Sequence, residues 1–295
     1  MRASIWGVVL VAAFSGCGGN ADPPSGKQAE HRPAPDADLP LPPPPPAAPA
    51  ARPRNYKVVH VFVALCDNKH QGIVPVSAAL GNGRDPRNNL YWGAMYGVKT
   101  FFSRSTYWTA IASFTKPRKR VILDRCVFKS AGAGPTVYVV ADAYDGAHMK
   151  AALQDFFGAA GGTYGPEVRL QHDRVVEAGW CADMVCFVGH NGLMDMRTPD
   201  VPTVVNTATP ECSVVLACKS HQYFVAPLQA AKCPPLLTTT GLMAPEAYTL
   251  DAVIRSWAGG DAPATVRKRA AQAYATYQKI SVRAAERLFV AGRLK

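Results

Sequence analysis

Apolar residues in this chain fall into short, dense runs separated by polar and glycine-rich stretches. The first is Val58-Val59-His60-Val61-Phe62-Val63-Ala64-Leu65, within Lys57 to Cys66. Its length and β-branched content predict a strand buried on both faces. Val121-Ile122-Leu123 with Cys126-Val127-Phe128 predict a second strand or a short hairpin, and Thr136 to Ala141 a further strand. Met184 to Val188, Ser213 to Leu216 and Leu236 to Thr240 complete the set. Helical spacing appears between them. Tyr91, Ala94, Met95, Val98, Phe101 and Phe102 share one face of a helix over 89–102, despite Gly93 and Gly97. Asp145 is placed to cap a helix carrying Met149, Leu153, Phe156 and Phe157 on its inner side. A helix over 244–257 groups Leu250, Val253, Ile254 and Trp257 and ends at Gly259-Gly260. A last one, 262 to about 280, turns Val266, Ala270, Ala273, Tyr274 and Tyr277 inward and Arg267, Lys268 and Arg269 outward. Strands alternating with helices predict an α/β fold, a three-layer sandwich around a mostly parallel sheet.

Two of the strands end alike. Met184-Val185-Cys186-Phe187-Val188-Gly189 stops at His190-Asn191-Gly192, and Ser213-Val214-Val215-Leu216 stops at Ala217-Cys218-Lys219-Ser220. Ligands of open parallel sheets bind beyond the carboxyl ends of the strands, so adjacent tips would set an imidazole beside a thiol. That pair is the minimum for a cysteine nucleophile with a general base. The Gly192 and Cys218 amides are candidate oxyanion donors. A cysteine after four apolar residues is by itself more often core; what singles out this one is its joint occurrence with His190. Cys218 and His221 form a C-x-x-H with no second matching pair, so no metal is predicted, and no motif calls for a cofactor.

GHNG (189–192) and LACKS (216–220) resemble the signature of the caspase-like, or clan CD, cysteine peptidases: an apolar strand ending in His-Gly, then one ending in Ala-Cys or Gly-Cys. The order, His before Cys, agrees. Asn191 is an insertion between the His and the Gly, and the 28-residue separation is short for the family. As a strand pattern the resemblance spans about residues 57–258. It implies a caspase-like fold and an endopeptidase whose dyad is His190 and Cys218, acting on peptide or protein substrates without a cofactor. The competing expectation is a non-catalytic envelope binding lipoprotein of the same fold.

The stretch after the first strand is dense in polar and glycine residues, from Asp67-Asn68-Lys69-His70-Gln71-Gly72 to Gly81 through Trp92. Arg84, Arg87, Asn88 and Trp92 are candidate substrate contacts on this long connection. The alternative is that its Asn and Asp side chains bond their own turns. His70 is a second candidate base.

Arg2, the apolar stretch Ile5 to Phe14 and Phe14-Ser15-Gly16-Cys17 resemble a bacterial lipoprotein signal ending at a lipidated Cys17, although Phe14 stands where Leu is usual. Residues 18–55 are Pro/Ala-rich, with five consecutive prolines at Pro42 to Pro46, and read as a disordered tether. Residues 56–295 are then one domain anchored on the extracytoplasmic side of the membrane. With Cys17 and Cys218 set aside, six of the eight cysteines remain, which permits up to three disulfides in an oxidising compartment. The net charge of +11 raises the question of a nucleic-acid partner. The basic residues are scattered and form no binding motif, so an anionic envelope surface explains them better. Nothing in the sequence fixes an oligomeric state.

Overall fold

The computed structural model describes residues 54–118, 121–132, 134–171, 174–196, 209–292 and 294. Cys17 and nearly all of the expected tether lie outside them. In chain order the elements are β1 (Tyr56–Ala64), α1 (Val98–Arg104), β2 (Trp108–Arg118), β3 (Ile122–Ser130), β4 (Thr136–Tyr144) and α2 (Met149–Gly161). A small hairpin follows, β5 (Glu167–Arg169) and β6 (Val175–Glu177), then β7 (Met184–Val188), β8 (Cys212–Leu216), α3 (Ser220–Ala230) and β9 (Pro235–Thr239). The chain closes with α4 (Ala247–Ala258), α5 (Pro263–Gln278), α6 (Val282–Leu288) and β10 (Phe289–Ala291).

Eight strands form one mixed sheet in the order β10-β9-β8-β7-β1-β4-β3-β2, whose five central strands β9, β8, β7, β1 and β4 are parallel. Side chains alternate across it. Val59, Val61, Val63, Cys186, Val188, Val214 and Leu216 share a core with α1, α4 and α5, while Phe62, Val185, Phe187 and Val215 pack on the other face against α2 and α3. The α/β arrangement with a largely parallel sheet covered on both faces is therefore as the pattern predicts.

The differences have physical causes. Residues 89–97 form turns, and the helix begins only at Val98. Gly93 and Gly97 lie so close to the backbones of Arg87 and Trp92 that a Cβ would overlap them, so the segment folds back on itself and leaves Met95 exposed. The strand β2 has no sequence counterpart because it is an edge: most of its positions are exposed or half-exposed, and Lys116-Pro117-Arg118 end it, as befits a protected edge. Cys66, Cys126, Cys181, Cys186 and Cys212 are free thiols, so the disulfides that the count permits do not form among them. Four of these five pack as small buried apolar groups.

One polar network crosses the sheet interior. Asp142 on β4 receives Arg125 from the opposite position of β3 through Nε at 2.5 Å and Nη2 at 2.7 Å, and pairs with His60 Nε2 at 3.0 Å. His60 Nδ1 accepts the Gly179 amide at 3.0 Å, which makes Nε2 the protonated nitrogen. Burial lowers the His60 pKa, against the raising effect of Asp142. A histidine held neutral in this way contributes stability that is present above the unfolded value of about 6.5 and is lost as pH falls below it, at up to about 1.4 kcal/mol per unit. Asp155, raised to about 6 chiefly by burial, acts in the opposite sense below pH 6. His60 is therefore expected to titrate below the free-histidine value in a nitrogen-edited NMR titration. Protonation at the free-histidine value would show that the network opens.

Candidate active site

The parallel sheet changes winding direction between β1 and β7. After β1 the chain goes on to α1 and the β2-β3-β4 side of the sheet, whereas β7 and its successor β8 lie on the opposite side of β1. Crevices that hold ligands open at such switch points. The tips lining this edge are those of β1 (Asp67, His70), β7 (His190, Asp195) and β8 (Cys218).

Val188 pairs with Leu216 in register, so His190 and Cys218, each two residues on, leave neighbouring strands at the same height. Gly189 makes the turn at the β7 tip with a φ of +146°, and a Cβ there would lie 2.7 Å from the Ala64 carbonyl oxygen. Asn191 ties the two tips together. Its Nδ2 donates to the Cys218 carbonyl at 2.6 Å, and its Oδ1 accepts the Leu193 amide at 3.1 Å. The residue that departs from the His-Gly signature is thus a fully buried staple between the two candidate residues.

His190 Nε2 is bound to Asp195 Oδ2 at 2.5 Å. With that nitrogen committed, Nδ1 is the one left for a proton acceptor's role. Asp195 also receives the Gly72 amide at a long 3.4 Å, so the same carboxylate touches the β1 connection. Sequence reading missed Asp195. Its signal was a carboxylate in the turn just after an Asn-Gly pair, where the chain doubles back on the histidine.

The half-buried Cys218 thiol sits in the turn from β8 into α3. Its Sγ receives the Met243 amide at 3.4 Å and lies 3.6 Å from the Met243 carbonyl, and Tyr91 and Tyr274 lie within its electrostatic reach. The following residue, Lys219, adopts left-handed backbone with φ 49°, a sharp strand-to-helix turn that presents the side chain before it. The Cys218 amide has no hydrogen-bond partner among the described residues. Five other thiols are chemically muted. Burial pushes Cys66 and Cys126 up to about 11 and Cys181 to about 12, and raises Cys186 and Cys212 well above the ordinary thiol value. At neutral pH a thiol at 11 is thiolate in about one molecule in 10⁴.

The other expected contacts divide. Gly192 is not a free donor: its amide bonds the His190 carbonyl at 3.1 Å, and its Cα packs against Met149 on α2. Trp92 is core, fully buried, with Nε1 on Asp124 at 2.9 Å, so it cannot meet a substrate. Asn88 holds its own turn through Asp85 Oδ2 at 2.7 Å. Arg84 is 71% exposed with a loose 3.5 Å approach to Asp145, and Arg87 is exposed. His70 Nδ1 pairs with Asp67 at 3.0 Å. His221 faces Thr238, away from any metal set; among the described residues no cluster of three or more metal-binding side chains occurs. No described helix is long and apolar enough to cross a membrane. Comparison with known proteins finds no matching family model, no matching curated protein and no matching solved structure.

Proposed function

We propose that the chain is a caspase-like cysteine endopeptidase, held at the bacterial envelope by lipid on Cys17. The observation that carries this is the pairing of the His190 and Cys218 tips on adjacent parallel strands, in register and stapled by Asn191. Cys218 attacks a peptide carbonyl carbon. His190 takes the thiol proton and returns it to the leaving amine, while Asp195 holds the imidazole in the productive tautomer. The Cys218 amide donates to the carbonyl oxygen as it becomes an oxyanion. The commitment of Gly192 to His190 removes it from that role in this conformation. Water then hydrolyses the thioester and frees the enzyme.

The test is labelling of the full chain by an electrophilic peptide probe. Adduct formation is expected at Cys218 alone, absent in Cys218→Ala and slowed by about 10²-fold or more in His190→Ala. Equal labelling of the His190 variant, or adducts spread over the other cysteines, would sink the dyad and favour the non-catalytic binding lipoprotein. Intact-mass analysis of the mature N-terminus reports on the anchor separately: lipid on Cys17 supports it, and an unmodified or differently cleaved terminus removes it.

A further inference from the structure

A cavity of about 300 Å³ opens where β1 and β4 begin, at the end of the sheet opposite the His190 and Cys218 tips. That volume is at the lower bound of small-molecule sites, which run from about 300 to 1,000 Å³. The nine residues of β1 put about 25 Å between the cavity and the tips. Tyr56 and Thr136 stand opposite each other as the first residues of β1 and β4, and Lys129 on β3 stands opposite Tyr138 on β4. Strand alternation therefore turns Tyr56, Thr136, Tyr138 and Lys129 to one face of the sheet, where Arg174 and Val176 of the β5-β6 hairpin complete the lining.

The charged groups in this lining are both donors. Arg174 Nη1 donates to the hydroxyl of the buried Tyr138 at 2.7 Å, so the phenol accepts there and keeps its own proton to give. The half-buried Lys129, cross-strand neighbour of that tyrosine, adds an ammonium. Neither cation pairs with a carboxylate among the described residues. Carboxylates on the adjoining elements are engaged elsewhere or face away: Asp183 takes Arg54 at 3.2 Å and the Val58 amide at 2.6 Å, Glu167 takes Arg169 at 3.7 Å, and Glu177 stands opposite Glu167 in the hairpin. Two like charges lining one cavity repel each other until an anion comes between them. A phosphomonoester carries about −1.5 to −2 at pH 7, which balances two cations, and its three terminal oxygens match ammonium, guanidinium and phenol. A carboxylate, with one charge and two oxygens, would leave a donor unmatched. Beyond the phosphate, Tyr56 and Val176 supply an apolar wall, the Tyr56 ring being set edge-on to Tyr138 at 5.2 Å.

We propose that this cavity binds a small phosphomonoester, its phosphate held by Lys129, Arg174 and the Tyr138 hydroxyl. The site lies away from the candidate dyad and does not rest on the peptidase reading. The experiment titrates the full chain with glycerol 3-phosphate by isothermal calorimetry, in chloride buffer of constant ionic strength, with acetate as the monoanionic control. Saturable one-to-one binding of glycerol 3-phosphate is expected, with acetate at least about 10-fold weaker. Lys129→Met and Arg174→Met should each weaken binding by about 10-fold or more, since each removes hydrogen bonds from a charged donor. Tyr138→Phe, which keeps the ring, should weaken it several-fold. Arg174 is exposed and Lys129 half-exposed, so both variants should melt with the wild type by circular dichroism; if one does not, the other decides. A second arm separates a free monoester from a lipid headgroup through sedimentation with vesicles of phosphatidic acid. Retention that is lost in Lys129→Met and Arg174→Met supports the site with a lipid as its ligand, and calorimetric binding without retention supports it with a soluble one. No saturable binding in either arm, acetate bound as tightly as the phosphate, or variants that bind like the wild type would overturn the assignment.

Discussion

Replacing Arg125 by methionine is expected to destabilise the domain by about 3–5 kcal/mol. The reason is what the substitution leaves behind. Asp142 is fully buried, and it is anionic because Arg125 supplies two short hydrogen bonds and an adjacent positive charge. Burial by itself raises the Asp142 carboxyl; the Arg125 contacts, with help from His60, overcome this and draw it below the usual carboxylate range. Without the guanidinium, the carboxylate either stays charged in an apolar layer or takes up a proton at neutral pH. Both outcomes are costly. In a domain of this length each kcal/mol moves the thermal midpoint by about 2–4 °C, so a drop of about 10 °C is the expected reading. The double variant Arg125→Met with Asp142→Leu is expected to recover part of that loss, because an apolar pair of similar volume carries no desolvation cost. A single variant within about 1 kcal/mol of wild type would mean that water reaches Asp142.

How far the sequence foretold this molecule depends on whether the informative contacts were local. The strands β1, β4, β7, β8 and β9 were legible because strands buried on both faces must be continuously apolar, and Val58 to Leu65 is so. The helix with Met149, Leu153, Phe156 and Phe157 was legible from spacing, but Asp145 does not cap it: its side chain accepts the Ala147 amide at 3.0 Å and caps the short 3-10 turn Gly146–His148, after which α2 starts with no side-chain cap. Two helices escaped. Residues 220–230 mix Pro227 with polar residues and bury only Ser220, Phe224 and Leu228, and α6 buries only Ala285. Too little apolar surface is committed there to leave a periodic trace.

Within the site, His190 and Cys218 were readable because a reactive side chain ending an apolar run is a local pattern. Their supports were not. Asn191 reads as a flaw in a motif until its amide is seen on the Cys218 carbonyl, a contact between residues 27 apart. Trp92 reads as an exposed recognition residue because its neighbours are Asn, Tyr and Gly. Only the tertiary contact with Asp124, 32 residues later, draws it inside.

In the peptidase proposed above, Asp195→Asn is expected to lower kcat by about 10²-fold while changing KM by no more than about threefold. The carboxylate accepts the Nε2 proton of His190 and so keeps the Nδ1 lone pair available for the thiol proton; it also stabilises the imidazolium once formed. Carboxamide in its place can still accept a hydrogen bond but supplies no charge, and it can turn its NH₂ toward the ring and enforce the wrong tautomer. The loss is held below that for a fully buried catalytic carboxylate because Asp195 is 41% exposed and solvent screens part of its charge. Asp195→Glu should restore a measurable share of kcat. Asp195→Asn combined with His190→Ala should be no slower than His190→Ala alone, since a positioning residue has nothing left to position. The contrary pattern is also concrete. Were Asp195 merely an anchor for the β1 connection through Gly72, its replacement would raise KM, leave kcat intact and add its full effect to that of His190→Ala.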